Sequence, residues 1–121
     1  VADGSFREYV EDQLRALGAV EFHTMFGGYG LYRGPFFFGI LHRGRLYFKT
    51  DSDSRPEYVA RGMGPFRPNV RQTLKSYYEV PAEVIEDADA LIEWARRAIA
   101  ARSAPAPRTA VRRKAKTRSQ R

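Results

Sequence analysis

The chain has 121 residues, enough for one domain with its own core, and no cysteine, which excludes a disulfide framework and any thiolate metal site. Its formal net charge is +7, yet residues 1–102 hold as many acids as bases, so the whole excess falls on residues 103–121 and a basic folded surface is excluded. No apolar run approaches the roughly 20 residues of a membrane span, and the start VADGSFREYVEDQ has acids where a signal peptide has its hydrophobic centre, so a soluble cytoplasmic protein is expected.

Ser5 followed three residues on by Glu8 reads as a capping box, and Phe6, Tyr9, Val10, Leu14 and Leu17 form a stripe that stops at Gly18. This predicts a first helix from Phe6 to Leu17. Val20 to Phe26 reads as the first strand, after which Gly27, Gly28 and Gly30 interrupt the pattern around Tyr29, before Leu31 and Tyr32, as a turn or bulge does. Phe36, Phe38 and Ile40 then alternate with Phe37, Gly39 and Leu41, and Leu46 and Phe48 with Tyr47 and Lys49, the period of two of a pleated strand. Arg33-Gly34-Pro35 and His42-Arg43-Gly44-Arg45 stand where hairpin turns belong.

A polar loop from Thr50 to Ser54 leads to a short helix through Tyr58 and Val59, bracketed by Pro56 and Gly62. Pro65 and Pro68 limit any strand between them to an edge or an irregular one. Thr73 to Val80 is the last strand, with Leu74, Ser76, Tyr78 and Val80 alternating against Thr73, Lys75, Tyr77 and Glu79. Pro81 ends it and opens a helical turn through Val84 and Ile85. Asp87 or Asp89 caps a final helix with Leu91, Trp94, Ala95, Ala98 and Ile99 on one face. The order α-β-β-β-α-β-β-α predicts an α+β domain over residues 1–102: two layers, a mostly antiparallel five-stranded sheet with helices on one face. Residues 103–121 place Ala, Pro, Ser and Thr between their charges, which cannot bury enough apolar surface to order the chain, so a disordered basic tail is expected.

Nothing in this pattern calls for catalysis, a cofactor or a metal. His23 falls in a strand and His42 in a turn, neither with a second ligand at metal-binding spacing. The serines lack the Gly-x-Ser-x-Gly elbow that exposes a nucleophile. Asp51, Asp53, Glu86, Asp87 and Asp89 sit where caps belong. The cluster Gly27-Gly28-Tyr29-Gly30 leads into a strand and lacks the Lys-Ser or Lys-Thr of a phosphate loop, so it reads as backbone that must bend or approach a neighbour. Tyr29, Tyr32, Phe37, Tyr47, Tyr77 and Tyr78, with Arg33, Arg43, Arg45, Lys49 and Lys75 beside them, could stack bases on a sheet surface. A packed core or a face for a protein partner or second copy is the plainer use of such rings. The nucleic-acid contact expected from charge lies in the tail, at Arg108, Arg112, Arg113, Lys114, Lys116, Arg118 and Arg121; without an apolar face beside them, a membrane surface is the poorer partner.

Four motifs in order carry a family resemblance: Met25-Phe26-Gly27-Gly28-Tyr29-Gly30-Leu31-Tyr32, Gly44-Arg45-Leu46-Tyr47-Phe48-Lys49-Thr50-Asp51, Ser76-Tyr77-Tyr78-Glu79-Val80-Pro81 and Trp94-Ala95-Arg96-Arg97-Ala98. Over about residues 5–101 the chain resembles the N-terminal domain of the TfoX/Sxy family of bacterial competence regulators. The resemblance implies a two-layer domain with secretion-chaperone-like topology, in a cytoplasmic, non-enzymatic regulator of DNA-uptake genes. It also implies that Met25, Phe26, Gly27, Gly28, Tyr29, Gly30, Tyr77, Tyr78, Pro81 and Trp94 are family-motif residues of mainly structural use. Two-domain members continue into a second helical domain where this sequence has only its basic tail, so a stand-alone single-domain member is expected. The rival readings are a chaperone-like adaptor without nucleic acid and a small-ligand binder or enzyme working on the open sheet face.

Overall fold

The computed structural model describes residues 3–25 and 27–103. The chain runs through α1 (Asp3–Gln13), β1 (Val20–Met25), β2 (Gly28–Arg33), β3 (Phe36–His42), β4 (Arg45–Lys49), α2 (Arg55–Ala60), β5 (Pro65–Asn69), β6 (Gln72–Glu79), α3 (Ala82–Ile85) and α4 (Ala88–Ser103). One antiparallel sheet takes the order β1-β2-β3-β4-β6-β5. The α+β class is as expected from the sequence, but the sheet has six strands and not five. The extra one is β2: Gly28 and Gly30 do not break the ladder, because both sit inside it, paired to Met25 and His23 of β1.

Side-chain packing assigns the two faces. Val10, Leu14, Tyr58, Val84, Leu91 and Trp94 from all four helices join Leu31, Phe38, Leu46, Phe48 and Val80 of the sheet and its margin in one buried cluster. Each fully buried side chain of this size contributes about 1.5–3 kcal/mol, so this layer supplies most of the driving force. Ile40, Tyr47, Phe66 and Tyr77, with Phe37 and Leu74 against them, form a second cluster that contains no helical residue. Among the described residues all four helices therefore cover one face and leave the other to the sheet's own side chains.

The strand alternation read from the sequence fails in β3 for a definite reason. Leu31 pairs with Gly39 and Tyr32 with Phe37, so Phe38 is the extra residue of a β-bulge. The phase slips there: Phe38 and Leu41 enter the helix-side core, whereas Phe37 and Ile40 turn to the other face. A second slip lies between Pro65 and Asn69, where β5 meets β6 and Phe66 pairs with Leu74. The prolines explain β5's irregularity and its place at the edge, as expected. The turn between β3 and β4 has Arg43 at φ 53° and Gly44 at φ 74°, two left-handed residues in succession as a type I′ hairpin requires.

The helix boundaries correct the sequence reading at α1. It begins at Asp3, so Ser5 lies within the first turn and does not cap it. It also ends early. Beyond Gln13 the backbone tightens into three-residue bonds, Arg15 N–H to Asp12 and Leu17 N–H to Leu14, before Gly18 and Ala19 take positive φ. At α2 the expected bracket is present: Gly62 N–H bonds the Val59 carbonyl and Met63 N–H the Tyr58 carbonyl, the paired bonds of a Schellman motif. Asp87 Oδ1 accepts from Ala90 N–H at 3.2 Å and so caps α4. No helix among the described residues is long and apolar enough to cross a membrane.

Candidate functional site

The helix-free face is where the sequence leaves aromatic mass without a covering layer. Register places Glu21, His23 and Met25 of β1 on it with Tyr32 of β2, followed by Phe37 and Ile40 of β3, Tyr47 and Lys49 of β4 and Tyr77 of β6. These side chains form a row across the strands. His23 meets Tyr32 edge-on at 4.9 Å, Tyr32 stacks on Phe37 at 5.1 Å with 26° between planes, and Phe37 meets Tyr77 at 5.2 Å. Lys49 Nζ closes the row 5.3 Å from the Tyr77 ring centre. Tyr77 donates its hydroxyl to the Phe37 carbonyl at 3.3 Å, which anchors ring to backbone. Tyr32 and Phe37 are half-buried; Tyr47 and Tyr77 are buried.

The glycine motif makes this row possible. Gly28 lies so close to β3 that a Cβ would fall on the Leu41 carbonyl oxygen, which is backbone and cannot step aside. Gly30 lies beneath the row itself: a Cβ would run into Met25 Sδ and come within 3.1 Å of Phe37 Cε1 and 3.2 Å of Tyr32 Cε1. Gly27, at φ 78°, turns the chain from β1 into β2. Three glycines of the motif thus bend the backbone, admit a neighbouring strand and leave room for rings. Phe26 lies outside the described residues.

At the other end of the face β5 curls over it. The Phe66 ring, fully buried, packs 4.8 Å from Tyr47 and 5.1 Å from His42. Burial raises the Tyr47 hydroxyl pKa above its ordinary value, and the nearby Glu79 carboxylate adds to the rise. Glu79 is held by Arg45 Nη1, 3.0 and 3.1 Å from its two oxygens. Phe66 was not legible as a core residue from a segment with two prolines; the only signal is a large ring between them.

Other residues singled out from the sequence divide between the faces. Tyr29 packs on the helix side against Phe22 at 6.5 Å with the Arg7 guanidinium 5.6 Å away, and Tyr78 lies there too, 6.1 Å from Tyr58 with Arg55 over its ring. Tyr29 and Tyr78 therefore cannot join a platform with Tyr32, Phe37, Tyr47 and Tyr77. Trp94 is buried in α4, 4.7 Å from Tyr58, and Arg61 lies 5.1 Å over its ring. Burial drives the Tyr58 hydroxyl pKa far above its ordinary value, so it stays protonated. Pro81 is buried and occupies the N-cap position of α3 with φ −61°. Arg43 lies in the turn between β3 and β4 and Lys75 is exposed on β6; Arg45 is engaged by Glu79. All seven tail cations, from Arg108 to Arg121, lie outside the described residues.

The acids do structural work. Asp51 Oδ1 accepts from Ser54 N–H at 2.9 Å and Asp53 N–H at 3.0 Å, and Asp51 N–H in turn donates to Ser54 Oγ at 3.1 Å. The backbone bond from Ser54 leads the causes that hold the Asp51 carboxyl below its ordinary value. Beside it the buried Thr50 hydroxyl donates to the Ser76 carbonyl at 2.8 Å and accepts from Arg55 Nε at 3.0 Å, tying α2 to β6. His23 Nε2 lies 3.2 Å from Glu21 Oε1 at the surface. Among the described residues no three of His, Cys, Asp or Glu gather as a metal site. A concavity of about 290 Å³ beside α1 is lined by Phe6, Tyr9, Arg45, Leu46, Glu79 and Ile85, among others, and includes neither histidine.

Against known families, the model described as the TfoX N-terminal domain matches residues 12–102. No curated protein matches the chain.

Proposed function

The chain belongs to the TfoX N-terminal domain family, and from that premise we propose that it is a non-catalytic cytoplasmic module in the regulation of DNA-uptake genes. It binds a protein partner on the helix-free sheet face and touches nucleic acid through its basic tail. The observation that supports this reading most is the ring row on that face. Tyr32 and Phe37 remain half-buried although every helix lies on the opposite side, and aromatic side chains with one apolar surface still open to solvent are what protein interfaces select. The balanced charge of residues 1–102 favours a protein over a polyanion as the occupant of the face.

Seven tail cations meeting phosphates give a salt slope of about −6 in log–log binding plots, so DNA contact is weak at physiological salt and blind to sequence. Retention of the full chain and of a chain ending at residue 102 on immobilised duplex DNA, measured as salt is raised, tests the division of roles. Loss of retention on truncation is expected; equal retention by both would remove the tail from the function.

A further inference from the structure

The two edges of the sheet are built differently. β5 carries Pro65 and Pro68 and slips register against β6, so a further strand finds no regular ladder there. β1, at the opposite edge, keeps six residues in unbroken register with β2 and has neither proline nor bulge. In an antiparallel ladder alternate residues turn both backbone groups away from the neighbour, and among the described residues β1 has a neighbouring strand on one side only. Among the described residues a row of N–H and C=O groups therefore faces outward along an edge with neither proline nor bulge.

We propose that β1 pairs antiparallel with β1 of a second copy of this chain, about a two-fold axis at Phe22, joining the two sheets into one. The register follows from the side chains. A two-fold ladder sets each residue opposite one on the same face, so the axis must fall on a residue. On Glu21 it sets carboxylate against carboxylate; on His23 it sets imidazole against imidazole and Glu21 against Met25. On Phe22 it sets each Glu21 opposite His23 of the second copy, twice over, so that the imidazole can exchange the carboxylate of its own chain for that of its copy. Glu21 and His23 are both exposed and already meet within one chain at 3.2 Å, so their chemistry is matched and both can reach the edge. The same register brings the two Phe22 rings together on the helix side. There each is half-buried, 6.5 Å from Tyr29 and 5.7 Å from the Arg7 guanidinium, and gains apolar cover from its copy. A strand of unrelated sequence meets none of these pairings, which is why the occupant is a second copy. The pairing also doubles the helix-free face.

Analytical ultracentrifugation of the full chain without DNA tests this independently of the nucleic-acid reading. The expected mass approaches twice 13.8 kDa as concentration rises. Glu21→Lys, which removes the acceptor opposite the imidazole, and His23→Glu, which sets carboxylate against carboxylate, each raise the dimer dissociation constant by about tenfold or more; the double variant, with Lys opposite Glu, regains most of the wild-type value. Thermal melts confirm that each variant is folded. Because the chain has no cysteine, Phe22→Cys places a single thiol at the axis, and mild oxidation yields a covalent dimer whereas Val59→Cys on α2 yields none. A mass of 13.8 kDa at every concentration overturns the proposal. So does a dimer that both charge variants leave intact, which would place the contact on the ring row instead, or a double variant that fails to recover.

Discussion

A methyl group at Gly28 would fall on the Leu41 carbonyl oxygen, whereas one at Gly64 would meet nothing within 4 Å. Gly28→Ala is therefore expected to cost about 1–3 kcal/mol through overpacking, and Gly64→Ala to leave stability within about 0.5 kcal/mol of the parent; urea denaturation of the two variants reads the difference. Asp51 offers a second case. Its folded carboxyl pKa lies below the ordinary value near 3.8, so the unfolded chain binds the proton more readily. Its stabilising contribution is then complete at pH above that ordinary value and disappears as pH falls through the lowered folded value. Asp51→Ala should cost about 1 kcal/mol at neutral pH, as lost caps do, and flatten the acid end of a stability–pH curve. That Asp51 serves the approach to α2 was legible, because an acid opens a polar loop just before Pro56; that it closes the loop on Asp53 and Ser54 N–H while Ser54 takes the N-cap position was not. The separate tasks of Gly27, Gly28 and Gly30 were not, since a bend, a backbone approach and a berth for rings all spell glycine.

Strand β5 shows what governs the elements. Its prolines announced an edge, yet Phe66 between them seals the second core cluster by curling over Tyr47 and His42. Phe66→Ala should cost about 3–5 kcal/mol, and amide hydrogen exchange should accelerate in β5 and β6 while β1 and β2 retain their protection. The ion pairs of the helix surface give the contrast. Glu57 engages Arg97 at 2.7 Å and Arg61 at 3.6 Å, but all three side chains are more than a third exposed, so Glu57→Gln should shift the unfolding free energy by less than about 1 kcal/mol. The order of helices and strands was readable from periodicity and turn residues. The sixth strand and the phase slip at Phe38 were not: a bulge is settled by pairing with a neighbouring strand, which no local period encodes.

At the scale of the molecule, the helices and the helix-free face divide the work. The helix layer buries the main core, and the open face carries rings that pack on one another and still leave Tyr32 and Phe37 partly in solvent. The formal +7 belongs entirely to residues beyond 102, so the protein contact and the nucleic-acid contact proposed above fall on different parts of the chain. The charge imbalance was visible in composition, while the face that carries the row depended on register. Amide resonances of the labelled full chain, followed as a short DNA duplex is added at low salt, test that division of contacts most directly. The account predicts shifts confined to residues after 103, with His23, Tyr32, Phe37 and Tyr77 unmoved; shifts running along that row, with the tail silent, would contradict it.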